Sequence, residues 1–196
     1  MENNLYLKPL KEIDQALWLS YWKEYYDYNL HPGTLKIYEQ EKNKKPEEKL
    51  EELRKQEEGI EPYGLKSIQY VLMNNEKIIG NGSIFLNPEV VPPEETPNHI
   101  GGGISKQYRN KGYGTHMLHL FIKELNDLGY EEITLCCEDN NIPSAKMIEN
   151  NFGILKDIVT YKGPIKERQG KPHRKYIINV PESLKAYLQN ENPKKR

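Results

Sequence analysis

The first half of the chain shows one strand pattern, one helix pattern and one long charged stretch. Residues 5–10, "LYLKPL", alternate enough to predict a first strand that ends at the proline. In residues 14–30 apolar residues recur in pairs every four positions, which predicts a helix with one buried face and Asp14 as its N-cap. That face consists of Leu17, Trp18, Tyr21, Trp22, Tyr25 and Tyr26. The charges of residues 34–60 predict a solvated helical excursion, which Pro46 divides into two short helices.

The middle of the chain reads as strands joined by turns. Residues 67–87 predict a hairpin, and four prolines make residues 88–98 an irregular loop. The short strand "HIGGGIS" (99–105) contains glycines that indicate either a bulge or a close backbone approach. A helix that stops near Gly129 follows the next loop. Its predicted buried residues are Met117, Leu118, Phe121, Leu125 and Leu128.

The order of elements predicts the fold class. The remaining elements are a strand at 131–137, a short helix from Pro143 and a final hairpin at 154–163 and 173–180. Because a strand–helix–strand crossover joins parallel strands, this order predicts an α/β protein with a local parallel pair inside a mixed sheet. We expect one domain over residues 1–182, followed by a short C-terminal helix and a lysine-rich tail over 183–196.

Composition narrows the classes of partner and compartment. The 28 basic and 29 acidic residues give a net charge of −1, which predicts no nucleic-acid or membrane partner. No apolar run approaches the ~18 residues of a membrane-spanning helix, and the N-terminus lacks the layout of a signal peptide. Cys136 and Cys137 are adjacent, which matches neither a disulfide framework nor a zinc site. We expect a cytoplasmic, reduced protein without a bound metal.

The stretch "YRNKGYGT", residues 108–115, carries the first functional signal. The first turn of a helix has unpaired backbone N–H groups and a partial positive charge, so it can bind an anion. Gly112 and Gly114 remove side chains that would hold a phosphate away, and Arg109 and Lys111 add positive charge. The residues alone leave two interpretations open, a phosphate cradle or a helix start whose glycines relieve crowding.

Two nucleotide-binding motifs do not fit this loop. The P-loop pattern G-x-x-x-x-G-K-[ST] is absent, and no Ser or Thr follows the lysine to bind magnesium. The dinucleotide fingerprint G-x-G-x-x-G fails because His116 and Met117 follow the glycines. These departures speak against a nucleotide-phosphate binder.

The surroundings of the loop resemble a known family. "QYRNKGYGT" is similar to the R/Q-x-x-G-x-G/A acyl-CoA pyrophosphate loop of the GNAT acyltransferases, a pattern carried here by Arg109, Gly112 and Gly114. "EEITLCCEDNNIPSAKMIENNFG" resembles the second motif of that family, N-x-x-[AS], which falls on Asn141 and Ser144. The order of elements agrees from residue 5 to about residue 180. The chain looks most like a bacterial branch of predicted acetyltransferases.

The resemblance implies a fold and a reaction. The implied fold is a mostly antiparallel sheet, splayed between the fourth and fifth strands and flanked by helices. The implied enzyme is an N-acetyltransferase, an acyltransferase of the EC 2.3.1 type, with acetyl-CoA as donor and a primary amine of an unidentified small molecule or peptide as acceptor. The resemblance is compatible with a monomer or a homodimer. The alternative is an acyl-CoA-binding regulatory module of the same fold with little or no turnover.

The resemblance also implies a set of cofactor contacts. Backbone amides of 107–115 would bind the pyrophosphate of CoA, and residues near 103–105 would face its pantetheine arm. A bulged strand at 101–103 would suit the splay. The implied cofactor-binding residues are Ile104, Gln107, Arg109, Asn110, Lys111, Gly112, Tyr113, Gly114, Thr115, Asn141 and Ser144. For Asn141 the alternative role is a turn or helix cap ahead of Pro143.

The proton chemistry departs from the family pattern. Many members carry a tyrosine seven residues after the motif asparagine, whereas this chain has Ile148, which cannot donate a proton. Ser144 resembles the serine proposed as general acid in N-terminal acetyltransferase branches, although it also fits an ordinary helix start. The fallbacks are Cys136, Cys137 and Tyr161, and only one of the two neighbouring cysteines can line the cleft. Buried thiols without a chemical role are the alternative for both.

Two residues are candidates for the general base. His99 opens the fourth strand, near where family members often place a glutamate, and its ordinary pKa suits proton transfer through water. Glu138, at the end of the fifth strand, is the other candidate. His116 and His119 are expected to face solvent. The aromatic face of the first helix is expected to be core, with Tyr25, Tyr26 or Tyr28 as possible substrate contacts.

Overall fold

A computed structural model describes residues 4–29, 39, 42–60 and 62–191 of the chain. The chain forms two compact units. Unit 1 comprises Met1–Ile84 and Gly101–Gly114, and unit 2 comprises Phe85–Ile100 and Thr115–Arg196. The single domain expected over residues 1–182 stays a prediction.

The first sheet has four strands in the order β1-β2-β3-β4, with the hairpin strands in the middle. The strands are β1 (Leu5–Pro9), β2 (Ser67–Asn74), β3 (Lys77–Phe85) and β4 (Ile100–Ile104). β1 pairs antiparallel with β2, so that Leu5 lies opposite Asn74 and Pro9 opposite Tyr70. The first strand and the hairpin predicted from the sequence are therefore confirmed.

Helix α1 (Gln15–Asn29) packs its aromatic face into unit 1. Asp14 caps it, because its Oδ1 accepts hydrogen bonds from the backbone N–H groups of Ala16 and Leu17 at 2.8 and 3.2 Å. The predicted face is confirmed for its described side chains. Trp18, Tyr21 and Trp22 are buried, Leu17 and Tyr25 are partly buried, and the side chain of Tyr26 lies outside the described residues.

Helix α2 (Pro46–Glu58) belongs to the predicted charged excursion. It begins at Pro46, as expected from the tolerance of proline in the first helical turn, and ends at Gly59 in the left-handed conformation. Its Leu53 joins the core around Trp18, and the Lys49 ammonium lies 5.4 Å from that indole ring. Most of the remaining excursion, residues 34–45, lies outside the described residues.

The glycines of β4 allow close contact with β3. A Cβ on Gly102 would lie 2.5 Å from the carbonyl oxygen of Asn81 and 2.7 Å from the Cα of Gly82. The neighbouring Gly103 is different, since its Cβ would meet only the hydroxyl of Tyr25 at 3.8 Å. Of the two alternatives predicted for "HIGGGIS", close backbone approach is the one observed at Gly102.

Unit 2 contains a sheet of three strands in the order β5-β7-β6, with β7 antiparallel to both neighbours. The strands are β5 (Glu132–Glu138), β6 (Ile154–Thr160) and β7 (Pro172–Asn179). The helices are α3 (Tyr113–Asp127), which begins at the end of unit 1, α4 (Ile142–Glu149) and α5 (Val180–Glu191). The mixed α/β class with mostly antiparallel strands is confirmed.

The expected parallel pair is not found within either described sheet. β4 and β5 belong to different sheets, and β5 and β6 are separated by β7. β5 and β6 do run in the same direction, because both are antiparallel to β7. The crossover through α4 was predicted correctly, but the last strand inserts between the two strands that it joins.

Three residues in or directly after α3 differ from their predicted environments. Four of the five apolar residues expected to be buried are buried, but Leu128 is 49% exposed because it follows the last turn of α3. His119 was expected to face solvent and is only 7% exposed, since its ring stacks on Tyr187 of α5 at 3.4 Å between centroids. His116 is half-buried, with Nδ1 3.2 Å from the same tyrosine hydroxyl.

The C-terminal helix begins earlier than residue 183. Val180 is already helical and buried, and the hydroxyl of Ser183 donates to the carbonyl oxygen of Asn151 at 3.0 Å. These contacts make the start of α5 part of the core of unit 2. The lysine-rich residues of the predicted tail, beyond residue 191, lie outside the described residues.

We expect Gly102→Ala to lower the free energy of unfolding by about 1–3 kcal/mol, because its methyl group would overlap the backbone of β3. The matched control is Gly103→Ala, whose methyl group would have only an ordinary contact with Tyr25. Denaturant titration of both variants measures the difference. Equal losses in the two variants would contradict the close approach described at Gly102.

Candidate functional site

The segment between β4 and α3 is a compact loop whose conformation is set locally. It contains a short 3-10 turn, Lys106–Tyr108, followed by Asn110 and Gly112 with left-handed φ angles of +59° and +81°. The side chain of Arg109 folds back, and its Nε donates to the carbonyl oxygen of Ile104 at 2.8 Å. This bond ties the loop to the last residue of β4.

The loop offers backbone donors next to open space. Around the position of a Cβ on Gly112 no heavy atom lies within 4 Å, so the backbone there is accessible. Tyr113, Gly114 and Thr115 form the first turn of α3, whose amide groups have no carbonyl partners within the helix. The positive end of the helix dipole and the charge of Lys111 favour an anion at this point. The residues present therefore fit a pyrophosphate group.

Three predicted cofactor residues already have contacts within unit 1. The side chain of Ile104 is buried, so only its backbone faces the loop. The side-chain amide of Gln107 donates to a carboxylate oxygen of Glu24 at 2.9 Å. Lys111 has its ammonium 5.9 Å from the ring of Tyr108. Cofactor contacts by the side chains of these residues and of Asn110 stay predictions, and the observed geometry favours the backbone amides of the loop.

Two tyrosines of α1 lie along β4. The hydroxyl of Tyr25 is next to Gly103, in the strand that the family resemblance assigns to the pantetheine arm. Tyr21 donates to Oδ1 of Asn81 at 2.9 Å and also contacts the side chain of Ser105, and burial raises the pKa of its phenol. Tyr25 is thus the tyrosine whose substrate contact the structure makes testable, whereas the side chains of Tyr26 and Tyr28 lie outside the described residues.

In unit 2, the second motif forms the start of α4. Oδ1 of Asn141 accepts the backbone N–H of Ser144 at 3.2 Å, and the backbone N–H of Asn141 donates to the carbonyl oxygen of Glu138 at 2.9 Å. Asn141 is therefore an N-cap, which was the alternative to a cofactor role. The two roles are compatible, because capping uses Oδ1 and leaves the amide NH2 group to donate elsewhere. The motif places Asn141, Ser144 and Glu138 within one short segment.

Ile148 occupies the position where many family members carry a tyrosine. It is buried, and a Cβ on Gly153 would collide with its side chain. The glycine that ends the motif thus makes room for the isoleucine. At this position the chain has a core residue in place of a proton donor.

The contacts of Nδ1 bear on the tautomer of His99. Nδ1 lies 3.0 Å from the backbone N–H of Thr134, which donates to it, and 3.4 Å from the carbonyl oxygen of the same residue, so the shorter contact favours Nδ1 as the acceptor. Burial lowers the pKa of the imidazole, so the neutral ring is favoured. In a neutral ring whose Nδ1 is the acceptor, the proton lies on Nε2. That tautomer would leave His99 without an acceptor nitrogen, and the base roles of His99 and Glu138 both stay predictions.

The predicted fallback acids are poorly suited to proton transfer. Cys137 is buried on one face of β5, and Cys136 is half-buried on the other. Burial raises the pKa of both thiols, that of Cys136 to about 11, so both are weaker acids than an ordinary thiol such as that of CoA. The hydroxyl of Tyr161 is buried and accepts the backbone N–H of Ile165 at 3.3 Å, which is a structural role in the turn after β6.

Unit 2 contains a cavity of about 330 Å³ that the sequence did not predict. The proline-rich loop that precedes β4 covers one side of it, and residues of the second sheet form the other. The lining residues are Pro88, Glu89, Val91, Pro93, Thr96, Pro97, His99, Thr134, Cys136, Val159 and Lys175. The four prolines of that loop were the sequence signal for this wall of the cavity, because they stiffen a segment that the sequence predicts only to be irregular.

Hydrogen bonds fix the proline-rich loop over the sheet. Oδ1 of Asn98 accepts the backbone N–H of Cys136, and the backbone N–H of His99 donates to the carbonyl oxygen of Thr134 at 3.0 Å. Further along, the backbone N–H of Lys162 donates to the carbonyl oxygen of Glu94 at 2.8 Å. Hydrogen bonds to β5 and to Lys162 therefore hold the loop that bounds the cavity in place.

Neither a metal cluster nor a membrane-spanning helix is found in the described part of the chain. Among residues 4–29, 39, 42–60 and 62–191, no group of three His, Cys, Asp or Glu side chains could hold a metal ion. None of the helices within these ranges is long and apolar enough to cross a bilayer.

Solved structures with the same architecture are acetyltransferases. An acetyl transferase from Salmonella typhimurium that modifies the N-terminal serine of a 50S ribosomal subunit protein is 11% identical, with a TM-score of 0.63, over 91% of this chain and 96% of that one. Spermidine N-acetyltransferase from Vibrio cholerae in complex with CoA and spermine is 14% identical, with a TM-score of 0.59, over 92% and 98%. An aminoglycoside acetyltransferase in complex with coenzyme A is 16% identical, with a TM-score of 0.61, over 93% and 98%.

The family follows from the sequence itself. These three solved structures are 11–16% identical to this chain, so their similarity shows only the fold. No curated protein matches the chain. Residues 15–154, more than half of the chain, match the model of the acetyltransferase (GNAT) family, and the match includes both motifs. The chain therefore belongs to the GNAT family of acetyltransferases.

Proposed function

We propose that the chain is a cytoplasmic N-acetyltransferase that uses acetyl-CoA to acetylate a primary amine of a small molecule or peptide. The observation that carries the proposal is the accessible backbone around Gly112 at the start of α3, which fits a pyrophosphate. The solved neighbours support an amine acceptor, since their names specify spermidine, an aminoglycoside and an N-terminal serine.

The chain's own residues have distinct roles in this proposal. Acetyl-CoA supplies the acetyl group as a thioester. The backbone at Gly112 and the amide groups of Gly114 and Thr115 bind its pyrophosphate. Arg109 holds the loop to β4, and Lys111 adds positive charge to the loop. In unit 2, the amide NH2 group of Asn141 is available to bind the pantetheine region.

The transfer requires two proton movements. The acceptor must lose a proton from its ammonium group before its nitrogen attacks the acetyl carbon, and the sulfur released when the C–S bond breaks must gain one. Ser144, with its hydroxyl at the start of α4, is the proposed donor to the sulfur. Glu138, at the end of β5, is the proposed acceptor of the amine proton.

Gly112→Glu should weaken acetyl-CoA binding at least about tenfold, because a carboxylate would occupy the space proposed for the pyrophosphate. Gly129→Glu is the matched control. Gly129 has nearly the same left-handed φ, +87° against +81°, and equally open space around its Cβ position, but it follows the other end of α3. Calorimetry with acetyl-CoA compares the two variants, and equal affinities would remove the loop from the cofactor site.

A screen of acceptors tests the reaction itself. We expect thiol release from acetyl-CoA in the presence of at least one class among amino acids, peptides, polyamines and aminoglycosides. Thiol release can be followed with a chromogenic thiol reagent. If acetyl-CoA binds and no amine in the panel accelerates thiol release, the N-acetyltransferase proposal is wrong and the regulatory-module alternative is favoured.

Ser144→Ala should lower kcat about tenfold with little change in acetyl-CoA affinity, because the substitution removes a proton donor and keeps the backbone N–H that Asn141 accepts. Tyr25→Phe provides the comparison, since its hydroxyl lies beside Gly103 in the strand assigned to the pantetheine arm. An unchanged kcat in Ser144→Ala, together with a reduced kcat in Tyr25→Phe, would transfer the acid role to the tyrosine.

A further inference from the structure

Helix α1 contacts the segment that leads from β4 into the motif loop. The hydroxyl of Tyr21 contacts the side chain of Ser105. One helical turn away, Oε2 of Glu24 accepts a hydrogen bond from the side-chain amide of Gln107 at 2.9 Å. Because Tyr21 and Glu24 are three positions apart in a helix, they lie on the same side of it. Both contacts lie within unit 1, and they are called the α1–loop contacts.

The contact at Tyr21 is buried. Tyr21 is 4% exposed and Ser105 is 3% exposed. The phenol also donates to Oδ1 of Asn81 in β3 at 2.9 Å, and burial raises its pKa, so the hydroxyl stays protonated. Because buried polar groups keep their hydrogen-bond partners, this hydroxyl fixes the side chains of Asn81 and Ser105 relative to α1.

The motif loop begins at Ser105. This residue precedes the 3-10 turn Lys106–Tyr108, and its carbonyl oxygen accepts the backbone N–H of Tyr108 at 2.9 Å. Its own backbone N–H donates to the carbonyl oxygen of Ile79 in β3 at 3.0 Å. The direction in which the loop leaves the sheet is therefore set at Ser105, where β3, the turn and α1 meet.

The contact at Glu24 lies at the surface. Gln107 is the middle residue of the turn and is half-buried, whereas Glu24 is exposed. A hydrogen bond to a carboxylate is stronger than one between neutral groups, but solvent weakens it at an exposed site. We therefore expect the contact at Glu24 to contribute less to the conformation of the loop than the buried contact at Tyr21.

The loop is also held at its start by its own arginine. Nε of Arg109 donates to the carbonyl oxygen of Ile104 at 2.8 Å, and Ile104 directly precedes Ser105. The guanidinium of Arg109 is close enough to Tyr21 to interact electrostatically with the phenol. The arginine of the loop and the tyrosine of α1 thus act on two consecutive residues, the last of β4 and the first of the loop.

We propose that Tyr21 and Glu24 are positioning residues for the cofactor, which act through Ser105 and Gln107 to hold the motif loop in the conformation that exposes the backbone at Gly112. The inference rests on the proposed function, since it takes acetyl-CoA as the ligand of that loop. Neither side chain touches the cofactor in this arrangement. Loss of either contact adds loop conformations that do not bind a pyrophosphate, which lowers the apparent affinity by the fraction they occupy.

Two acyl donors test the contact at Tyr21, because acetyl-CoA contains the pyrophosphate and S-acetylpantetheine does not. With the best amine of the panel as acceptor, we expect Tyr21→Phe to raise the KM for acetyl-CoA about tenfold. The kcat/KM for S-acetylpantetheine should stay within about twofold of its original value. Ser105→Ala removes the same contact from the side of the loop, keeps the bond between Tyr21 and Asn81, and should give the same result.

The matched control is Tyr6→Phe. Tyr6 lies in β1 of the same unit, and its hydroxyl donates to the backbone carbonyl oxygen of Asn75 at 3.3 Å. We expect the kinetic constants for both donors to be unchanged in this variant. A general loss of stability would affect the two donors alike, so a difference between the donors identifies positioning of the pyrophosphate loop.

A double-mutant cycle tests the contact at Glu24. We expect Gln107→Ala to weaken acetyl-CoA binding about threefold in the otherwise unmodified chain and to have no effect in Glu24→Ala, where the hydrogen bond is already lost. Calorimetry with acetyl-CoA measures both steps. A direct contact between Gln107 and the cofactor, as the family resemblance implies, would give the same loss in both backgrounds and would overturn the role of Glu24.

The outcomes separate this inference from the proposed function. If the unmodified chain does not bind acetyl-CoA, or if Gly112→Glu binds it as well as the unmodified chain does, the cofactor site and this inference are both wrong. If acetyl-CoA binds at Gly112 but its KM is unchanged in Tyr21→Phe and Ser105→Ala, only the positioning role is wrong. A loss of kcat/KM that is equal for the two donors would also overturn that role.

Discussion

The start of α3 has amide groups that the helix itself cannot satisfy, and the motif loop is arranged around that constraint. α4 meets the same constraint with a side chain, since Asn141 accepts the N–H of Ser144. Gly112 precedes α3 and has no side chain that could do this. Its left-handed φ and open surroundings, together with the anchoring of Arg109 to Ile104, keep the backbone at Gly112 accessible. One helix is capped by its own asparagine, and at the other we propose that an anion of the cofactor binds.

Hydrogen bonds made by Nδ1 differ between two histidines of unit 2. His99 receives the backbone N–H of Thr134 at Nδ1, which favours a neutral ring with its proton on Nε2, whereas Nδ1 of His173 donates to the carbonyl oxygen of Lys171. The two rings are on the same unit and differ in which backbone group they meet. A histidine next to a strand therefore cannot be assigned as acid or base before its Nδ1 partner is known.

Local signals in the sequence were sufficient for the motif loop, the cap at Asn141 and the missing tyrosine at Ile148, because each depends on residues a few positions apart. The burial of His119 depends on α5, more than sixty residues later, and the exposure of Leu128 on where α3 ends. The cavity of unit 2 was missed because its walls come from residues far apart in the sequence, which no local pattern brings together. The features that could not be predicted from the sequence depend on contacts between distant elements, which local propensity does not specify.

The lack of a proton donor at Ile148 has a small effect on the proposed reaction, because removing the proton from the amine is harder than protonating the sulfur. A thiol has an ordinary pKa of about 8.5, so its thiolate leaves readily near neutral pH with little help from an acid. An alkylamine with a pKa of about 10.4 has roughly one molecule in 2,500 unprotonated at pH 7. Taking the amine proton is therefore the step that most needs a protein group, and a chain can lose the motif tyrosine more easily than its base. By this reasoning the group that accepts the amine proton, for which we propose Glu138, matters more to turnover than the hydroxyl of Ser144.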